Sequence, residues 1–554
     1  MSIYDKASLV LIPSGTKTSK VYSQKPVSGD GDFTFSRSTM ATRVNSSGNI
    51  EKETQNLLLQ SNSFDTTWTT SNAPTLTSGQ SGYDGTSDAW KIELTATYGQ
   101  IIQSISISGL NCTSIYAKAG TINFIRLRID GSPNSIVDFN LTDGSTAYSS
   151  GNVYATSTSV GGGWYRLSMV SNVSSSTLRI YPLIAANDLS GTSGNIYIQD
   201  AQLEQGLVAR DVITTTTTAV EGGITDNVPR LDYSGGATCP SLLLEPQRTN
   251  KITQSEYFQS TSWTDNGNIS YDFGYLAPDG TNSAYKITGN DNGNLLFAGV
   301  LNNDTRSVFA RTTSGTGTLQ LLSYFGNTNN TFTITEEWQR FEISSVTTSI
   351  GETNFYLADF RGSTSLDEVI LWGAQCEVGS YATSYIPTFG SAVTRNGDNY
   401  LLDNMATNGI TNDSAISFFI DAEAAVDTAN TYIDLFALKL SSGENLRIES
   451  RINDRFYVQC SSGFVNSGDS PNSYSWLAPS AGRAKILFTM TSAQLKLYYN
   501  GSLLETWDGS YNIDFNQFRS DVSQATTQLK NNVNQALILT SAISNQEAID
   551  LTTI

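Results

Sequence analysis

LWGAQCEVGSYATSYIPT, Leu371 to Thr388, decides the fold of this chain, because IQDAQLEQGLVARDVITT, Ile198 to Thr215, is an earlier copy of it. Each copy reads as a strand, then Ala-Gln, an apolar residue and Glu, then a Gly turn and an extended exit. Each closes a block rich in Trp, Ser and Thr, and further matches precede both in the same order. Asp84-Gly85-Thr86 to Lys91-Ile92 returns as Asp279-Gly280-Thr281 to Lys286-Ile287. Ser114 to Lys118 returns as Ser307 to Arg311, and Trp164-Tyr165-Arg166-Leu167 as Trp338-Gln339-Arg340-Phe341. Ordered matches of this kind mark a duplicated module, and two copies make tandem domains rather than a solenoid.

Outward from the repeats, the chain divides into 1–55, a leader; 56–210, the first module; 211–245, an extended link; 246–390, the second module; and 395–554, a third module unlike the others. In the first module Tyr165, Leu167 and Met169 alternate with Arg166 and Ser168, and strand-length runs are separated by Gly, Asn, Asp and Ser clusters. That is the pattern of an antiparallel sandwich. The leader has a short apolar run, Leu9 to Ile12, stopped by Pro13-Ser14-Gly15, and an alternating strand at Phe33-Thr34-Phe35. It is too small for a core of its own, so it is expected either to anchor the protein elsewhere or to pack on the rest of the chain. The link begins with a run of threonines, and its Ser241 to Pro246 echoes the approach from Thr42 to Leu57-Leu58-Leu59.

In the third module Leu495, Leu497 and Tyr499 alternate, and Asn500-Gly501 predicts a type I′ hairpin turn. Ser544-Asn545-Gln546-Glu547 is a capping box that predicts a short C-terminal helix. Residues 513–530 carry no assignable pattern. The expected class is all-β: tandem antiparallel β-sandwich (jelly-roll) domains with a short C-terminal helix.

Composition narrows the function. The chain has 554 residues, enough for three to four domains at about 150 residues each. Its net charge is −19, which argues against a phosphate-binding surface and against adhesion to anionic lipid. With no histidine, the commonest general base, the Ser-His-Asp arrangement and His-ligated zinc are removed. Cys112, Cys239, Cys376 and Cys460 form no C-x-x-C pair, and Cys376 fills the slot of Leu203, so a disulfide framework is not expected. No apolar run reaches the length of a membrane span.

Aromatic rings are the natural sugar platforms, since a flat ring stacks on the apolar face of a sugar. Trp164 and Trp338 recur at one place in both copies, which reads as core rather than ligand site. Trp476, Tyr498 and Trp507 in the third module are the better platform candidates, with core packing as the competing reading. Arg166 and Arg340 could grip a carboxylated sugar, or could bond a neighbouring loop carbonyl. SGDGDF at Ser28 to Phe33 and NDNGN at 290–294 offer oxygen ligands, yet neither has EF-hand spacing, and a plain turn is the simpler reading. Glu336-Glu337 and Asp367-Glu368 are paired carboxylates, but adjacent side chains on a strand point to opposite faces. No catalytic residue, metal ligand or cofactor is assigned.

The leader, ASLVLIPSG through DFTFSRSTMATRVN to GNIEKETQNLLLQSN, resembles structural proteins of tailed bacteriophages, notably crAss-like and other Bacteroidetes phages. The two repeats look like the carbohydrate-binding-module-like jelly rolls of phage fibre and head-decoration proteins. The close WGAQCEVGSYATSYIPT is similar to theirs, and the first copy lacks its Trp and its Tyr-Ile-Pro ending. The third module resembles concanavalin A-like (laminin-G-like) sandwiches through KILFTMTSAQLKLYYNG and LTSAISNQEAIDL. The resemblance implies a non-enzymatic virion protein, assembled in the host cytoplasm, projecting from head or tail. It implies other virion proteins as partners through the leader, a homo-oligomer, and contact with host glycan, with neither nucleic acid nor membrane insertion. A purely structural component and a carboxylate-dependent capsule depolymerase are the alternatives.

Overall fold

The computed structural model describes residues 2–290, 293–299, 304–323, 331–346, 354–362, 364–411, 414–424, 433–451, 455–472, 474–478, 482–520, 530–541 and 543–554. The chain is built almost wholly from antiparallel strands in stacked sheets, with short helices at Ile3–Lys6 and Asn545–Thr552. No helix among the described residues is long and apolar enough to cross a membrane.

The two repeats share one topology. One sheet of the first repeat runs Tyr154–Gly161, Trp164–Asn172, Leu110–Ala119, Asn195–Gln205, Ala89–Glu93, Thr75–Gln80. Its counterpart runs Gln339–Val346, Asp304–Arg311, Glu368–Val378, Ala284–Thr288, Ser270–Tyr275. The facing sheet runs Thr146–Ser150, Ser135–Asn140, Phe124–Ile129, Ser175–Leu183, Gln100–Ile107, Thr69–Ser71, against Thr331–Ile334, Gly317–Ser323, Asn354–Asp359, Asn294–Ala298, Trp263–Asn266. Strand for strand the order is the same, and the first repeat adds one outer strand to each sheet. Its extra strand Tyr154–Gly161 faces the second repeat: the Tyr154 ring stacks on Phe273 at 4.2 Å, and its hydroxyl lies 2.8 Å from that of Tyr285. Leu110, Cys112, Val170 and Leu207 of the first repeat share a buried cluster with the core of the second.

The Ala-Gln-x-Glu motif is the end of a buried polar clamp. Asn250 Nδ2 donates to the carbonyls of Ala374 (3.2 Å) and Ile386 (2.9 Å), and its Oδ1 accepts from the N–H of Ile252 (3.1 Å) and Cys376 (3.0 Å). Asn56 makes the same bonds to Ala201, Ile213, Leu58 and Leu203. The full capacity of each amide is used. Gln375 Oε1 accepts from Ile386 N at 2.7 Å, and Gln202 Oε1 from Ile213 N at 2.8 Å. Gln therefore stands where the exit strand must be tied back, and Gly206 and Gly379 lie in the turn between.

The third sandwich is discontinuous in sequence. Its first sheet runs Arg230–Asp232, Ser241–Leu244, Asn531–Leu539, Ala415–Ala424, Arg483–Thr491, Gln494–Tyr499, Ser502–Tyr511, Val465–Gly468, with Leu9–Leu11 also on Asn531–Leu539. Its second runs Thr16–Lys17, Lys20–Val21, Phe33–Ser36, Asn399–Leu402, Phe515–Arg519, Ile433–Leu440, Asn445–Arg451, Arg455–Cys460, Ser475–Leu477. The leader, 1–55, and the link, 211–245, thus hand strands to the sandwich of 395–554, so the leader packs on the rest of the chain, one of the two outcomes expected of it. The physical reason is burial: Leu9, Leu11, Val21, Phe33, Phe35, Leu242 and Leu244 join one core with that sandwich. The expected echo of Leu57-Leu58-Leu59 in the link also fails. Leu242–Leu244 pairs with the last strand, and the counterpart of Asn56-Leu57-Leu58 is Asn250-Lys251-Ile252.

A buried ionic network ties the pieces. Arg37 of the leader pairs with Asp398 at 3.0 Å, Arg230 of the link with Glu245 at 2.7 Å and with Asp398, and Arg395 with Glu245. Burial pushes the Glu245 carboxyl up, but Arg395, Arg230 and Lys530 outweigh it and hold it well below the usual carboxylate range.

The local predictions in the third module hold. Asn500 and Gly501 both have positive φ (44° and 81°) in the hairpin between Gln494–Tyr499 and Ser502–Tyr511, as a type I′ turn requires. Ser544 caps Asn545–Thr552, with its hydroxyl accepting from Glu547 N and the Glu547 carboxylate accepting from Ser544 N. Of the unassigned stretch 513–530, Phe515–Arg519 is a strand and 521–529 lie outside the described residues.

Candidate functional site

Trp476, Tyr498 and Trp507 do not form platforms. Trp476 and Trp507 are 7% exposed and Tyr498 1%, so no ring face is open for stacking. Trp476 and Trp507 do lie near each other, joined through Tyr474, whose ring centroid is 6.3 Å from one and 5.3 Å from the other. Tyr498 holds the C-terminal helix, donating its hydroxyl proton to Asn545 Oδ1 at 2.8 Å. Trp476 and Trp507 fill the space between the two broad sheets and Tyr498 the space under the helix, and the area gained by burial decides their place.

The remaining sequence candidates also resolve into structure. Arg340 donates to the Thr383 carbonyl at 2.6 Å and to Ser307 Oγ at 2.8 Å, and Arg166 donates to the equivalent carbonyl, that of Arg210. Trp164 is buried, and Trp338 is half-buried with its indole N–H donating to the Leu276 carbonyl. In SGDGDF, Asp32 accepts from Ser23 N and Asp30 from Ser28, which is turn chemistry. The NDNGN stretch is described only in part. Among the described residues no group of three or more acidic, Cys or His side chains is placed to hold a metal. Glu336 and Glu337 are exposed, and Glu336 accepts from Gly315 N. All four cysteines are free thiols.

The structure instead brings together residues that the sequence did not single out. A cleft of about 510 Å³ opens where the end of the leader and both repeats meet, within the roughly 300–1,000 Å³ of small-ligand sites. Lys52 and Glu53 reach it from the leader, Glu204 and Arg210 from the motif of the first repeat, and Gln254 and Phe389 from the second. Glycine makes the junction possible. Gly109 has φ of 70°, and a Cβ there would stand 1.9 Å from the Phe389 carbonyl oxygen, which accepts from Leu110 N at 2.9 Å.

Glu53, Arg210, Glu204 and Lys52 are each held by identifiable contacts. Glu53 precedes the strand Thr54–Asn56, whose pairing with Val220–Gly222 brings Glu221 near. Burial first, then Glu221 and Asp226, push the Glu53 carboxyl up to about 7, with Arg210 opposing. Arg210 Nη1 donates to the Glu53 carbonyl at 2.5 Å. Glu204 closes the Ala-Gln-x-Glu motif, and its Oε1 accepts from Gln202 Nε2 (2.6 Å) and Arg210 N (2.9 Å). Burial raises its carboxyl as well, against those two hydrogen bonds and the charges of Arg210 and Arg166. Lys52 is already committed: its ammonium pairs with Glu256 (2.8 Å) and Asp279 (2.7 Å) and lies 4.9 Å from the Trp372 ring centroid. Val173, Ile386, Pro387 and Phe389 give the cleft an apolar wall beside these groups, and Gln55, Asn172, Gln205 and Ser262 are among its polar lining. The cleft thus combines an apolar wall with many polar side chains, the two kinds of group that small-ligand sites use to hold and orient what they bind. Comparison of the two motif copies was the available signal, since Arg210 stands where the second copy has Thr383.

No family model matches the chain, and no curated protein matches it. Solved structures similar to it include carbohydrate-binding modules. One is the CBM40 of the Ruminococcus gnavus IT-sialidase bound to α2,3-sialyllactose, at 12% identity and a TM-score of 0.21, over 26% of this chain and 83% of that one. Another is the CBM22-1-CBM22-2 tandem domain of Paenibacillus barcinonensis Xyn10C, at 13% identity and a TM-score of 0.22, over 58% of this chain and 97% of that one.

Proposed function

We propose that this chain is a non-enzymatic virion protein of a tailed bacteriophage, a fibre or decoration component, that contacts host-surface glycan through the cleft between its repeats. The cleft carries the reading: it combines apolar walls with side-chain hydrogen-bonding groups at a junction of sandwiches. The phage assignment is supported by the sequence resemblance of the leader and of the repeat close. Leader strands Leu9–Leu11 and Phe33–Ser36 are already paired in sheets, so contact with other virion proteins would use the exposed turn near Val27. Assembly as a homo-oligomer would give weak single contacts avidity. Two measurements test this. Labelled antibody against the chain should decorate intact particles, and the whole chain should bind on a glycan array. Array silence with an assembly defect on deletion would leave a purely structural component instead.

One observation favours a second reading. Glu53 near 7 and the raised Glu204 share the cleft, and a general acid needs such a raised carboxyl. A capsule depolymerase would release reducing ends from host polysaccharide, and Glu53→Gln would abolish that release. No release by the wild-type chain eliminates this reading.

A further inference from the structure

The two copies of the motif differ at one atom that matters. In the second repeat, Glu377 Oε1 accepts from Gln375 Nε2 and Thr383 N, both at 2.7 Å, and Oε2 accepts from Thr383 Oγ1 at 2.7 Å. In the first repeat Glu204 Oε1 has the corresponding bonds, but Oε2 has no hydrogen-bond partner among the described residues. The cause is Arg210 in the slot of Thr383. Its backbone N–H is kept, but there is no hydroxyl to give, and its guanidinium turns to the Glu53 carbonyl. Gln254 Oε1 in the same cleft is likewise without a partner, and Arg395 Nε is a donor without one. Glu204, Gln254 and Arg395 are 1%, 3% and 1% exposed. Buried polar atoms are seldom left unpaired, because each costs about 1–3 kcal/mol.

Resting on the glycan reading above, we propose that the cleft takes an uncharged, hydroxyl-rich sugar, with Glu204 and Gln254 accepting from its hydroxyls. A hydroxyl both donates and accepts, which suits two unpaired acceptors and one unpaired donor on side chains that line one cleft. A sugar carboxylate has no proton to give to Glu204 Oε2 or Gln254 Oε1. An ammonium could donate to both oxygens but could not accept from Arg395. The sugar's C–H face would lie on Phe389 and Pro387, which line the same cleft.

The test is titration calorimetry of the full chain at pH 7 with cellotetraose, mannotetraose, maltotetraose and xylotetraose as neutral probes, a glucosamine tetramer as the cation and tetragalacturonate as the anion. At least one neutral probe should bind ten-fold or more tighter than both charged ones. Arg210→Thr restores to Glu204 the hydroxyl that Thr383 gives Glu377, so it should keep or raise the melting temperature and weaken the neutral probe. Arg210→Ala removes the same arginine without supplying a hydroxyl, and should bind at least ten-fold tighter than Arg210→Thr. Glu204→Gln, of the same shape, should also weaken binding ten-fold, and serves if Arg210→Thr does not fold. No binding of any probe overturns the glycan reading and this inference with it. Binding of a neutral probe that Arg210→Thr and Glu204→Gln leave unchanged overturns this inference alone, as does preference for tetragalacturonate or the glucosamine tetramer.

Discussion

Glu53 shows how far a residue's chemistry depends on what surrounds it. In sequence it is one acid among several in a polar leader; in the structure burial, Glu221 and Asp226 raise its carboxyl from an ordinary 4.5 to about 7. The folded state therefore holds a proton that the unfolded chain has released between those values. Stability should fall as pH rises from about 4.5 to about 7 on account of this group, and Glu53→Gln should flatten that part of the curve in urea titrations at stepped pH. An unchanged slope would mean that the carboxyl titrates normally. Trp476, Tyr498 and Trp507 carry the opposite lesson. Residue type marked them as rings able to meet a sugar, and burial took their faces away, between the sheets for Trp476 and Trp507 and under the C-terminal helix for Tyr498.

At the scale of elements, the repeat was legible through the Gln that ties back the exit strand in each copy, Gln202 and Gln375, whereas the Asn that completes each clamp was matched only in the structure. Asn56 and Asn250 must be amides, since both carbon-bound heteroatoms bond two backbone groups each. Asn250→Ala strands the carbonyls of Ala374 and Ile386 and the N–H groups of Ile252 and Cys376. At about 1–3 kcal/mol for each buried group left unpaired, partial relaxation still leaves a loss on the order of 3 kcal/mol. Chemical denaturation of the variant should show it as a lower midpoint, and a loss under 1 kcal/mol would show that water or rearrangement replaces the clamp. The type I′ turn at Asn500-Gly501 and the capping box at Ser544 were legible for the same reason: each is a short-range contact that fixes its own residue types.

The whole molecule is organised by a sandwich that the chain begins, leaves twice and finishes last. Leu9, Leu11, Val21, Phe33 and Phe35 are buried in its core, and at about 1.5–3 kcal/mol for each side chain their removal costs on the order of 10 kcal/mol. That is comparable with the roughly 5–15 kcal/mol that holds a domain folded. Deleting residues 2–40 should therefore abolish the calorimetric transition of the third sandwich while the repeats, with cores of their own, keep theirs. Survival of every transition would show that the sandwich stands without its leader strands.

By itself the sequence determined the strand-rich class, the duplication and the turns, because alternation, Asn-Gly and the Ala-Gln-x-Glu motif are written in neighbouring residues. Tertiary structure alone decided which strands complete the third sandwich, where the large rings go, and that Glu53, Glu204 and Gln254 face one cleft. Those outcomes depend on pairings between distant parts of the chain: Leu9 finds Ile538, and Phe389 finds Gly109. Burial and hydrogen bonding select such partners only once the sheets have formed, and no local pattern announces them.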